Sequence, residues 1–241
     1  MKKSWIIAKR ELSVFFDSLI AYIIIVAFLG FTGFFTWLYG SNIFFVGQAS
    51  LDTFFSIAYW TLFFFIPAIT MRMLAEEKRS GTIELLLTKP VTDWQIVSGK
   101  FMATLILILV TLVLTLPYYF TVWSLGPIDH GVVWSGYLGL LLMSATYISI
   151  GLLASSLTNN KLVAFLLALF IGIFFHIIFE ILAQSMSGNL ADLFGYLNLS
   201  SHYDAISRGV VDTKDLIYFL SLTFIGLVFA EFGLAKRNIV E

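Results

Sequence analysis

The hydrophobic positions of this sequence fall into six long apolar stretches separated by shorter polar segments. A helix needs roughly 20 apolar residues to cross the hydrocarbon core of a bilayer, where backbone N–H and C=O groups must be satisfied within the segment itself. Six stretches reach about this length: 19–38, 53–71, 101–123, 133–155, 162–179 and 216–234. The pattern therefore predicts an all-α membrane protein with six transmembrane helices.

The composition supports this class of protein. Of the 241 residues, 59% are hydrophobic and 12% are charged, whereas soluble domains carry roughly 25% charged residues. The chain has no cysteine, which excludes disulfides, thiolate nucleophiles and cysteine metal sites. A net charge of −1 gives no reason to expect a nucleic-acid partner. The high hydrophobic content indicates that the chain is surrounded by membrane lipid.

The positions of lysine and arginine predict how the helices are oriented. Basic residues are enriched in the cytoplasmic loops of membrane proteins. With the N-terminus inside, all 14 basic residues except Arg208 and Lys214 fall in inner segments. Both termini and residues 72–100 are then cytoplasmic, and residues 180–215 form an external segment.

Residues 1–17, ahead of the first span, carry an amphipathic pattern. Apolar side chains recur there at helical spacing, with lysine and arginine on the other side: Trp5, Ala8, Leu12 and Phe16. This pattern predicts a helix that lies in the inner membrane interface and turns up into the bilayer. A charged anchor for the first span, without further role, is the alternative.

Ionisable residues are rare inside the predicted spans. An ionisable group deep in a membrane is costly and usually marks an ion or proton pathway. His176 and Glu180 share a face of the fifth span, but their height favours an interfacial position. In the external segment, His202 and Asp204 are a conceivable metal pair, although two ligands do not make a site. We expect no catalytic, metal or cofactor-binding residue in this chain.

The densest run of charge joins the second and third spans and reads EEKRSGTIELLLTKPVTDWQIVSGKF. Ser80 supplies a cap and Pro90 a stop, which predicts a short helix over residues 80–88. Thr92 and Gln95 predict a capping box at the start of the next helix. A helix of about 12 Å is too short to be stable alone. It needs a partner surface, and the bilayer and another protein are both open at this point.

The same loop carries a recognisable motif: Glu77, Gly81, Thr82, Glu84, Leu85, Leu86 and Pro90, followed by Gly99 and Lys100 at the start of a span. It resembles the cytoplasmic loop of ABC-2-type ABC transporter permeases. The segments AKRELSVFFDSLIAY and ISRGVVDTKDLIYFL resemble that family's entry helix and the approach to its sixth span. The resemblance covers residues 1–241 as a single domain, and the subfamily it resembles most is the gliding-motility permease GldF of Bacteroidetes.

The resemblance implies a non-catalytic permease subunit in the bacterial inner membrane. Such permeases pair as homodimers or heterodimers and bind two copies of a separate ATPase, which holds ATP and Mg. The ATPase acts through a coupling helix, here residues 80–88, so the seven motif residues from Glu77 to Pro90 become ATPase-coupling residues. In the gliding subfamily the expected partners are a GldA-like ATPase and a GldG-like second permease subunit. The chain itself has no G-x-x-x-x-G-K-[ST] motif.

Two other functions remain open on the residues alone. One is an ion-coupled secondary carrier or channel that acts by itself, although the spans hold few central ionisable groups. The other is a membrane anchor of a larger assembly that moves no cargo. We call residues 72–100 the coupling loop and residues 180–215 the external segment from here on.

Overall fold

The computed structural model describes residues 2–39, 43–47, 49–82 and 91–235, and the regular elements of these residues are helices. In chain order they are α1 (Lys2–Asp17), α2 (Ile20–Trp37), α3 (Ile43–Val46), α4 (Asp52–Thr70), α5 (Ala75–Arg79), α6 (Asp93–Val113), α7 (Leu116–Leu125), α8 (His130–Leu157), α9 (Lys161–Ile173), a π-helix (Phe174–Ile178), α10 (Phe179–Ser185), α11 (Asn189–Leu197), α12 (Leu199–Ser207) and α13 (Thr213–Ala235). Most of the predicted coupling helix lies outside the described residues.

Six helical segments of the described chain are long and apolar enough to cross a membrane, which confirms the predicted fold class. They are Ile20–Trp37, Asp52–Arg79, Asp93–Leu125, His130–Leu157, Lys161–Ser185 and Thr213–Ala235. The third is interrupted between α6 and α7, where Pro117 lies in the first turn of α7, a position that proline tolerates. Pro67 instead lies inside α4 without ending it. The orientation of the termini stays a prediction.

Helix α8 forms the centre of the bundle. In its most apolar window 72% of the residues are buried, against 22% in α2. Its neighbour α13 packs closely because small residues face each other: a Cβ added to Gly226 would lie 2.4 Å from Ser149 Oγ. Close helix approach through small residues is the usual way in which membrane helices associate. Thr146 and Thr223 add a hydroxyl contact of 3.2 Å between the same two helices.

Helix α1 packs along the first part of α6. Its buried face is formed by Ser4, Ile7, Ala8 and Phe15. Of the predicted apolar face, Ala8 is buried against the protein whereas Trp5 is 55% exposed, and Ile7, outside that pattern, is buried. The face of α1 that carries Ser4 and Ile7 lies against Gly99 of α6. A face with larger side chains would not allow the two helices to come as close.

The external segment folds back on the fifth span. Helix α11 runs beside α10, and the rings of Phe179 and Phe194 stack with centroids 5.9 Å apart. Helix α12 then packs against α8. His202, set aside above as a metal ligand, has a structural partner instead, since its Nδ1 donates to Asp215 Oδ1 at 2.6 Å. The external segment is thereby tied to the start of α13.

Candidate functional site

The coupling loop begins with the short helix α5, which carries the first of the predicted coupling residues. Glu77 lies on α5, and Gly81 and Thr82 follow directly after it. The other predicted coupling residues lie outside the described part of the chain: Glu84, Leu85, Leu86 and Pro90. The structure therefore describes the two ends of the coupling loop, and it shows what those ends are attached to.

The two ends of the coupling loop meet at a buried lysine. Lys100 of α6 donates from Nζ to Glu77 Oε1 at 2.8 Å and to Glu11 Oε1 at 3.2 Å. Arg10 reaches the same two carboxylates, at 2.6 Å to Glu11 and 3.4 Å to Glu77. We call these four residues the Lys100 network. It joins α1, α5 and α6, which are separate in the sequence.

Burial makes the Lys100 network a strong constraint. The side chain of Lys100 is 1% exposed, and a buried ammonium group is tolerated only where it is paired and hydrogen-bonded. Burial alone would raise the pKa of the Glu11 carboxyl, but Lys100 and Arg10 outweigh it and lower that pKa below its usual value of 4.5. Glu77 Oε2 is buried and has no hydrogen-bond partner in the described residues. Removing Glu77 therefore leaves the buried Lys100 with Glu11 as its one remaining carboxylate partner in the network.

A serine of α8 holds the backbone at the start of α5. Ser155 Oγ accepts hydrogen bonds from Leu74 N and Ala75 N, both at 3.0 Å. The same hydroxyl donates to Met71 O at 3.1 Å. Helix N-termini have backbone donors without intrahelical partners, and here another helix supplies the acceptor. The hydropathy pattern gave no sign of Ser155, because its partners lie 80 or more residues away in the chain.

Two lysines connect α5 to the ends of three further helices. Lys78 donates to Ser156 O near the end of α8 and to Gly233 O near the end of α13, the second at 3.3 Å. Cations are favourable at these positions, because the last carbonyls of a helix are free acceptors. Lys161, at the start of α9, pairs with Glu76 Oε1 at 2.6 Å. That pair is exposed and contributes little to stability.

The chain leaves α5 in a defined direction. Gly81 adopts a positive φ of 69°, a conformation that favours glycine at a helix C-terminus. Its N–H donates to Lys78 O at 3.3 Å, and the hydroxyls of Ser80 and Thr82 lie 2.8 Å apart. At the other end of the loop, Thr92 and Gln95 form the predicted capping box at the start of α6. Both ends of the coupling loop are thus locally ordered.

The close approach of α1 to α6 depends on a glycine of the motif. A Cβ added to Gly99 would lie 2.8 Å from Ile7 Cβ and 2.9 Å from Ser4 O. Gly99 therefore lets α1 lie directly against α6, next to Lys100. The motif glycine and the motif lysine serve the same contact, one by its small size and the other by its charge.

The arrangement is mechanical rather than chemical. Helix α5 is bonded to α1, α6, α8, α9 and α13, so a displacement of the coupling loop is passed to most of the bundle. A group of three or more histidine, aspartate or glutamate residues that could hold a metal ion is absent from the part of the chain that the structure describes. The site fits the transmission of movement between the coupling loop and the spans.

Comparison with known proteins places the chain in a family. The family model described as "ABC-2 family transporter protein" matches residues 5–234. Two relatives from Escherichia coli, strain K12 and O157:H7, both called "Probable multidrug ABC transporter permease YbhR", are each 31% identical to it over 101 residues. These alignments cover 42% of this chain and 27% of the relatives' length. Since the family model spans nearly all of the sequence, the chain belongs to the ABC-2 family of transporter permeases.

Proposed function

We propose that this chain is the permease subunit of an ABC transporter, driven through the coupling loop by a separate ATPase subunit. Membership of the family implies an ABC ATPase as the partner and a membrane component that is itself non-catalytic. In this proposal the helix over residues 80–88 docks on the ATPase. The ATPase subunit, and not this chain, binds ATP and Mg. The seven predicted coupling residues, from Glu77 to Pro90, form or support the docking surface.

The Lys100 network is the observation that carries this proposal. A docking helix transmits force only if its base is rigid with respect to the spans. Lys100 holds the first part of the coupling loop, through Glu77, against the start of the third span. The same ammonium group holds α1 through Glu11. Movement of the loop is thereby coupled to α1 and to the second and third spans together.

Two adjacent glutamates of α5 allow a matched test. Glu77→Gln removes the charge that Lys100 pairs with, whereas Glu76→Gln removes the partner of Lys161 in an exposed pair. We expect Glu77→Gln to lower ATP turnover of the reconstituted permease–ATPase complex by about tenfold or more, since a salt bridge at the loop base is broken. Glu76→Gln should leave turnover within about twofold of wild type.

The docking surface itself is tested by a separate pair of variants. A charge at Leu86, as in Leu86→Asp, or reversal of charge by Glu84→Lys should abolish copurification with the ATPase while membrane insertion stays normal. Unchanged copurification and turnover in both variants would remove the docking assignment. Solute movement by the purified chain alone, on an ion gradient without ATP, would favour the carrier function instead.

The finer role rests on the resemblance of the sequence to gliding-motility permeases. In that role the chain works in the bacterial inner membrane with two copies of a GldA-like ATPase. It pairs with a GldG-like second permease subunit or with a copy of itself. The complex either exports a cargo or transmits force across the membrane. An ATPase-dead partner that leaves gliding intact would favour the anchor function, and loss of gliding would support the ATP-driven one.

A further inference from the structure

A cavity of about 650 Å³ lies at the opposite end of the bundle from the Lys100 network. It opens between the start of α4, the π-helix and α12. This volume lies within the range of binding sites for small organic molecules. Aromatic and acidic residues dominate the side chains that matter for recognition: Tyr59, Trp60, Tyr203, Asp52, Glu180 and Asp204.

Aromatic rings form the inner wall of the cavity. The rings of Tyr59 and Tyr203 stack with centroids 4.5 Å apart. Trp60 meets His176 edge to face at 4.8 Å and keeps 42% of its surface exposed. The face of an aromatic ring carries negative electrostatic potential and attracts a cation within about 6 Å. Tyr59 and Tyr203 are 5% and 4% exposed and stack on each other, so Trp60 presents the accessible aromatic surface of this wall.

The wall is shaped by the π-helix at Phe174–Ile178. Single π-helical turns inside α-helices occur frequently at functional sites, because the extra residue turns side chains in new directions. Here His176 is 3% exposed, and its ring is hydrogen-bonded to the hydroxyl of Tyr59. The interfacial height expected for His176 stays a prediction, but the side chain is buried inside the protein. Its imidazole closes the inner end of the cavity and fixes Tyr59 in the wall.

The charges around the cavity are unbalanced toward negative. Asp52, Glu180 and Asp204 contribute three carboxylates, and Arg208 contributes one guanidinium. Three negative charges and one positive charge leave a net charge of −2. The pKa of the Asp204 carboxyl is raised, mainly by burial and also by the negative charge of Glu180. The positive charge of Arg208 opposes this rise only in part. A cation placed in the cavity would relieve this repulsion.

We infer that this cavity binds an organic cation with an apolar body. The exposed ring of Trp60, with Tyr59 packed against it, contacts the apolar body and the cationic centre, and Asp204 and Glu180 supply the counter-charge. A small metal ion would not use the aromatic wall, and an anion would meet three carboxylates. The inference goes beyond coupling to the ATPase and needs only the permease.

Tetraphenylphosphonium, an organic cation with an apolar body, is a suitable probe. Tetraphenylborate is its control, because it has the same shape and the opposite charge. Equilibrium dialysis would measure both against the purified wild-type permease in nanodiscs of zwitterionic lipid, with empty nanodiscs as the baseline. The two test variants are Asp204→Asn and Trp60→Ala. The two controls, Asp192→Asn and Trp123→Ala, change an acid and an exposed tryptophan that do not line the cavity. Gel filtration would verify that each variant is folded.

We expect saturable binding of tetraphenylphosphonium and, in separate samples, no saturable binding of tetraphenylborate. Asp204→Asn and Trp60→Ala should each weaken this binding about tenfold, and the two control variants should stay within about twofold of wild type. Binding no greater than to empty nanodiscs, equal binding of the borate, or equal affinity in all variants would overturn the inference. None of these outcomes depends on the ATPase, so the result is independent of the Glu77→Gln test.

Discussion

Gly99 of α6 lies directly against Ile7 of α1, so closely that an added Cβ would be 2.8 Å from the Cβ of Ile7. Real Cβ atoms essentially never come this close, and Ser4 O at 2.9 Å blocks the other direction. Helix α1 is therefore seated on α6 by backbone contact at this point. Its position next to the third span is fixed by shape as well as by the charges of the Lys100 network.

Gly99→Ala should push α1 away from α6. We expect a loss of about 1–3 kcal/mol of stability, because overpacking forces the backbone to shift. Thermal unfolding in detergent would measure it. Gly30→Ala is the matched control, since nothing lies within 4 Å of an added Cβ there and alanine is the better helix former. A variant at Gly99 that is as stable as Gly30→Ala would contradict the close seating of α1.

Lys100→Met should destabilise the protein more than Glu77→Gln. Lys100 is the partner of two carboxylates, so its removal leaves Glu77 and Glu11 with Arg10 alone. Breaking a buried pair by removing one partner costs about 3–5 kcal/mol, whereas replacing both partners is often milder. A double-mutant cycle with Lys100→Met and Glu77→Gln should therefore be strongly non-additive. Additive losses of stability would mean that the two groups do not interact.

Acid should weaken the attachment of α1 through Glu11. Because the pKa of Glu11 is lowered in the folded protein, its charge stabilises the fold at pH values above its usual 4.5. This stabilisation is lost as the pH falls below 4.5 and through the folded pKa. Melting temperatures measured from about pH 7 to about pH 4 should show Glu11→Gln to be less stable than wild type at neutral pH. The difference should shrink at the acidic end, and a constant difference would contradict the sign of the shift.

The spans were predictable from the sequence because hydropathy reports directly on apolar length. The capping box of Thr92 and Gln95 was predictable as well, since its parts are three residues apart. The buried face of α1 was not, because Trp5 and Ile7 are both apolar and only the neighbouring helix decides which of them is covered. Hydropathy does not distinguish contact with lipid from contact with protein.

The Lys100 network could be foreseen only in part. Glu77, Gly99 and Lys100 stood out through the family motif, but Glu11 lies 89 residues from Lys100 in the sequence. Such a pair depends on the register between helices, which a single sequence does not contain. The same reason hid Ser155, and it explains why the sequence suggested Asp204 and not Asp215 as a neighbour of His202. Asp204 shares a helix with His202, whereas Asp215 reaches it from the start of α13.

The pair of His202 and Asp215 is expected to hold the external segment together. Asp215 is 1% exposed, and its Oδ2 has no hydrogen-bond partner in the described residues. The second ring nitrogen of His202 lies 3.0 Å from Tyr196 O in α11. Both ring nitrogens thus face oxygen atoms, one of α13 and one of α11. One side chain therefore links α11, α12 and α13.

His202→Phe keeps an aromatic ring to stack on Tyr218 but leaves the carboxylate of Asp215 buried without a partner. We expect a loss of about 3–5 kcal/mol, as for other broken buried pairs. Faster hydrogen exchange should follow over residues 189–215, because α11 and α12 lose their link to α13. His130→Phe is the matched control, since that exposed histidine bonds only to a tyrosine hydroxyl, Tyr119 Oη, among the contacts described. Equal stability and equal exchange in the two variants would show that the His202–Asp215 pair does not hold the external segment.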